Sequence, residues 1–152
     1  MIANEVATHG LTTEQQVFSH IKQALRVMVD WRAPSVSQSR KRSSVRFALR
    51  SFCRHLERLM SFEEEGGYLP GVSSVRPNWE HRVDLLRAEH KQLREHIGKL
   101  IPQIEDEGVW QSERFESACR AIRELLDEVD RHDRDEITLL QETHTMDEGG
   151  EG

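Results

Sequence analysis

Four stretches of this chain repeat apolar residues every three or four positions, a rhythm that restricts it to long amphipathic helices packed on one another. The first helix is predicted to open at Thr12, where Thr12 and Gln15 fit a capping box, and to stop before Ala33 and Pro34. Its inward stripe reads Val17, His20, Ala24, Val27 and Trp31. After a Ser-rich loop, Val45, Leu49, Phe52, Leu56, Leu59 and Glu63 mark a second helix, ended by Gly66 and Gly67. The third stripe is Trp79, Val83, Leu86, His90, Leu93, Ile97, Leu100 and Ile104. Past Glu107 and Gly108, a fourth helix capped near Ser112 carries Phe115, Ala118, Ile122, Leu125, Val129, His132, Glu136, Leu139 and Thr143. Such stripes, joined by short or moderate loops, are buried most simply in an all-α, antiparallel up-down-up-down four-helix bundle. The bundle is expected over residues 12–144, with 1–11 as an N-terminal extension and 145–152 as a disordered acidic tail.

A chain of 152 residues fits one domain with a core that needs no disulfide or structural metal. Cys53 and Cys119 form no CxxC pair and read as reduced, semi-buried small hydrophobes. No apolar run approaches the roughly 18 residues of a spanning helix, and Met1 to Thr13 shows no basic, hydrophobic leader, so a cytoplasmic protein without membrane contact is expected. The net charge of −6 hides an asymmetry: residues 32–58 hold eight basic side chains and one acidic, leaving −13 for the remainder. That balance argues against nucleic acid as a partner while allowing one local anion-binding face.

Each stripe is interrupted by a side chain that can bind metal: His20, Glu63, His90, and His132 with Glu136. One histidine on an apolar face is more often a hydrogen-bonded core residue than a ligand, but agreement among four helices is a stronger signal. Burying unpaired carboxylates costs several kcal/mol each, which a cation offsets directly. His132 and Glu136, four residues apart, face the same way and reach one ion together. Imidazole and carboxylate ligands without thiolates favour iron, manganese or zinc.

The segments EEEGGYLP, LRAEHKQLREHI, HDRDEITLLQE and, more loosely, VFSHIKQALRVM make the chain similar to the hemerythrin-like HHE cation-binding family over nearly its whole length. Members of that family share a four-helix bundle around a non-haem di-iron centre. The family pattern of one histidine, HxxxE, one histidine and HxxxE on successive helices is met at His20, Glu63, His90, His132 and Glu136. It departs at Leu59, where a histidine is expected four residues before Glu63. The resemblance implies that Glu63 and Glu136 bridge or ligate, that His90 and His132 complete one metal position, and that His20 serves a second. Glu64, or His55 if the helix shifts or bulges, would substitute for the missing histidine. Arg94 stands four residues after His90, where oxygen-carrying hemerythrins place a second histidine, which argues against dedicated oxygen transport.

Arg42, Arg46, Arg50, Arg54 and Arg58 recur every four residues as a ridge, readable as an anion or partner surface or as a face paired with acids on neighbouring helices. Trp31 and Trp79 read as core residues and Trp110 as cover for a bundle end; His9, His81, His96 and His144 are assigned to solvent. No phosphate loop, nucleophile elbow or Ser-His-Asp ordering supports hydrolytic or nucleotide-dependent catalysis. The expected function is a hemerythrin-like protein holding one or two non-haem irons, binding or sensing oxygen, related small molecules or iron. Its rivals are a metal-free helical interaction module using the Arg ridge and, ranked last, oxidase chemistry at a di-iron centre.

Overall fold

A computed structural model describes residues 2–32, 34, 37–65, 79–105 and 112–149. Four helices follow in order: α1 (Ile2–Asp30), α2 (Gln38–Glu65), α3 (Glu80–Glu105) and α4 (Ser112–Gly149). α1 packs along α2 and α3 along α4, and the two hairpins close into a ring through α2 against α3 and α1 against α4. This is the antiparallel four-helix bundle expected from the stripes. Among the described residues, no helix is long and apolar enough to cross a membrane.

The stripes of α2, α3 and α4 are buried as their periodicity predicts, apart from the partly buried Ile97 and Thr143. Their large side chains, Leu49, Phe52, Leu93, Leu100, Leu125 and Leu126 among them, form one continuous core. Phe52 of α2 stacks on Phe18 of α1 with ring centroids 5.1 Å apart, a geometry worth about 0.5 to 1.5 kcal/mol beyond the area buried. A smaller cluster, Trp79, Val83, Leu86 and Leu139, forms a separate apolar unit. Cys53 and Cys119 are free and buried; burial pushes the Cys53 thiol up to about 12 and raises that of Cys119. Near the end of α3, Pro102 has no N–H to give the Gly98 carbonyl, so the helix carries one fewer hydrogen bond there.

α1 departs from expectation in both phase and extent. Val17, Val27 and Trp31 are 39%, 69% and 43% exposed, and His20 and Ala24 are exposed with them. The buried face is Phe18, Leu25 and Val29, with Ile21 and Met28 packed against it. One residue is a rotation of about 100°, so the stripe read one position early points outward and takes His20 with it. α1 also begins at Ile2 rather than Thr12, because nothing in 2–11 breaks the helix despite Gly10. At the other end α4 continues to Gly149, so 145–149 are helical where a disordered tail was expected. Ala33, Gly66, Gly67, Glu107, Gly108 and Trp110, with the side chains of Thr12, His9 and His144, lie outside the described residues.

Ion pairs fix α1 against α4. Lys22 Nζ lies 2.8 Å from Asp130, Arg26 donates to Asp130 at 2.6 Å and Asp127 at 3.0 Å, and Arg123 donates to Asp30 at 2.7 Å. Partly exposed pairs of this kind contribute about 0 to 1 kcal/mol each, so they set register more than stability. The Arg ridge is largely spent in the same way. Arg46 and Arg50 face Glu105, Arg58 lies 3.8 Å from Glu14, and Arg42 sits over the Phe115 ring.

Candidate metal centre

Glu63 on α2, His90 on α3, and His132 with Glu136 on α4 meet inside the bundle. Each is nearly sealed from solvent, at 6%, 0%, 5% and 8% exposed. On α3, His90 falls between the buried Leu86 and Leu93, and on α4 the pair falls between Val129 and Leu139. The helical rhythm that buries those neighbours therefore buries the polar groups as well. The four donor atoms lie within 4.8 Å of one another.

The distances define a focus. His90 Nε2 is 3.0 Å from His132 Nε2, 3.1 Å from Glu63 Oε2 and 3.5 Å from Glu136 Oε1; His132 Nε2 is 2.7 Å from Glu136 Oε1. The outward ring nitrogens are held separately. His90 Nδ1 meets Glu64 Oε1 at 2.8 Å, and His132 Nδ1 meets Glu89 Oε2. With each Nδ1–H donated to an outer carboxylate, each Nε2 turns a lone pair inward, the arrangement that orients histidine toward a metal. Two such lone pairs and two carboxylates repel unless a proton or a cation stands among them. Donors about 2.1 Å from one ion are at most about 4.2 Å apart, so a small contraction brings this set around a single centre. The residues fit a metal.

Protons play that part in the metal-free protein. Burial alone lowers the His90 pKa, but hydrogen bonds with Glu136, Glu63 and Glu64 outweigh it and lift it to about 10. Burial likewise disfavours the His132 imidazolium, and Glu136 and Glu89 raise it to about 8. Burial pushes Glu63 up to about 8 against the opposing effect of His90, with Glu136 adding to the rise. Burial also penalises the Glu136 anion, yet its bonds with His132, His90 and Glu63 hold it well below the usual carboxylate range. Glu63 is thus the protonated member of the carboxylate pair.

A pH dependence follows. The fold binds the His90 and His132 protons more tightly than the unfolded chain, whose histidines titrate near about 6.5. Their contribution is complete below that value and is lost as pH rises through about 8 and about 10. Glu63, raised above its unfolded value, acts in the same direction up to about 8. Glu136, already ionised in both states, is constant across this range. Chelator-treated protein should therefore melt at a progressively lower Tm between pH 7 and 10, and a flat or rising Tm would refute these proton assignments.

The other sequence candidates stand apart. His20 is exposed and eighteen residues along α1, about 27 Å from Ile2. His55 remains two turns before Glu63 with no bulge to bring it round, its Nδ1 3.7 Å from Glu14 Oε2. Leu59 is buried apolar core. Glu64 acts one layer out, holding His90 while accepting Arg94 Nη1 and Nη2 at 2.7 and 2.9 Å, and Arg94 lowers the Glu64 pKa. His81 is exposed as expected, but His96 is half-buried and 2.8 Å from Glu128 rather than in solvent. Sequence reasoning missed Glu89, which lies off the α3 stripe. The signal available was that a buried histidine must satisfy both ring nitrogens, which directs attention to carboxylates flanking the stripe of the neighbouring helix.

Compared with known proteins, the chain matches no curated protein and no solved structure, whereas the hemerythrin HHE cation binding domain matches residues 6–143. With that match spanning both hairpins and all four converging donors, the chain belongs to the hemerythrin HHE cation-binding domain family.

Proposed function

We propose that this protein is a non-haem iron binder with one metal position per chain, ligated by Glu63, His90, His132 and Glu136. The observation carrying this reading is the convergence of four buried donors from three helices, each histidine oriented by its own outer carboxylate. Two imidazoles with two carboxylates suit iron, with manganese and zinc as the nearest alternatives. Bound iron supplies Lewis acidity and one-electron chemistry in a site screened from bulk solvent. The four side chains leave room in the coordination sphere of a six-coordinate ion for a small ligand such as oxygen, so the role is binding or sensing of that ligand or of iron itself.

One position rather than two follows from where the remaining family ligands would stand. Leu59 offers no donor, and His20 faces away. Among the described residues, no other group of three or more candidate donors gathers. The reading as a metal-free interaction module draws on the same Leu59, but it leaves four mutually facing buried polar groups without a purpose.

Metal analysis of protein purified without chelator, read beside its near-ultraviolet and visible spectrum, tests the proposal. One equivalent of metal without the absorption of an oxo-bridged pair is expected. Two irons per chain with that absorption would overturn the single position, and no binding after anaerobic iron loading would overturn the function.

A further inference from the structure

A groove of about 730 Å³ runs between α2 and α3, outside the four buried donors and joined to them only through Arg94, which lines the groove and also holds Glu64. Its apolar surface comes from Phe47, Cys53, Ile97 and Ile101. Phe47 is 73% exposed, an unusual position for a phenylalanine on a helix face that otherwise carries arginines. Gly98 lies in the wall, and a Cβ placed on it would meet nothing within 4 Å. Gly98 thus leaves open space along this part of the wall, at a helix position where glycine costs about 1 kcal/mol relative to alanine.

The rim is charged and unbalanced. Arg50, Arg54 and Arg94 face Glu57 and Glu105 around the opening, three cations against two anions. Both carboxylates are taken: Arg50 Nε donates to Glu105 at 2.6 Å, and Arg94 Nε donates to Glu57 at 3.0 Å. Arg54 is exposed and has no ion pair or hydrogen bond among the described residues. One guanidinium, with donors in a fork that matches a carboxylate, thus stands free beside an apolar trough. The volume lies within the range of small-molecule sites, about 300 to 1,000 Å³.

We propose that this groove binds a small amphipathic anion, with its apolar body lying along Phe47, Ile97 and Ile101 over Gly98 and its carboxylate-like head on Arg54. Charge selects the class. A neutral apolar molecule gains only the trough, whereas an acid gains the unpaired arginine too. Cys53 contributes a buried, protonated thiol to the floor and acts there as a small hydrophobe.

The test uses the full chain and a fluorescent arylsulfonate, 8-anilinonaphthalene-1-sulfonate, displaced by decanoate or by decanol. Saturable binding at one site is expected, with decanoate displacing the probe at a concentration at least about tenfold below that of decanol. Gly98→Phe fills the trough from a position with open space and should weaken probe binding by more than about tenfold. Arg54→Glu, on the exposed rim, should weaken it at least about fivefold with unchanged helicity and Tm. Probe affinity unchanged in both variants, or equal displacement by acid and alcohol, would overturn the proposal. So would sedimentation showing a dimer that Gly98→Phe converts to monomer, since a second copy would then be the occupant.

Discussion

His132→Ala is expected to abolish most metal binding, weakening it by well over about 100-fold. Truncating this side chain removes the Nε2 donor and also strips Glu136 and Glu89 of their shared partner, leaving the buried Glu136 carboxylate with only His90 and Glu63. Losing only an outer partner of a ligating histidine costs about 10- to 100-fold, so Glu89→Gln should fall in that intermediate band. His81, exposed on α3, supplies the control, and His81→Ala should bind metal as the unaltered chain does. The measurement is equilibrium competition against a chelator of known affinity. Equal losses in His132→Ala and His81→Ala would remove the site from the interior of the bundle.

The largest expected effect on stability is Phe52→Ala. Phe52 is fully buried, stacks on Phe18 and ties α2 to α1 in the middle of the core. Removing a buried phenylalanine costs about 3 to 5 kcal/mol through lost transfer energy and the cavity left behind. In a domain of this size that lowers Tm by roughly 6 to 20 °C. Phe47→Ala, on the same helix but largely exposed, should change stability by no more than about 0.5 kcal/mol. Thermal melts in chelator keep metal binding from masking the difference. Comparable losses in the two variants would mean that the face of α2 carrying Phe47 is packed as well.

Three helices and their polar interruptions were legible in the sequence because each offers one apolar face that stays in phase along its whole length, despite adjacent apolar residues such as Leu85 and Leu140 that end up exposed. Glu63, His90, His132 and Glu136 all lie in phase with leucines and valines whose burial is unambiguous, so the periodicity that places the core places the donors. α1 lacks that uniqueness. Val17 beside Phe18, Ala24 beside Leu25, and Val27 beside Met28 offer two stripes one residue apart. Side-chain size separates them, since Phe18, Ile21, Leu25 and Met28 bury more apolar area than Val17, His20, Ala24 and Val27. Weighing area as well as spacing would have turned His20 outward. The capping box at Thr12 misled for a related reason, because a capping sequence within a longer helical stretch does not by itself begin a helix.

The outer carboxylates were beyond the reach of periodicity. Glu64 and Glu89 sit on the flanks of their helices, and their roles depend on which ring nitrogen of His90 or His132 turns outward. That orientation is settled only when the helices are assembled.

The ring of helices is built from two hairpins, and three of the four central donors belong to the second of them. Glu63 alone reaches across from the first. An ion seated among these groups thus adds one fastening between the two halves of the molecule, in the interior, to the ion pairs that already join them at the surface.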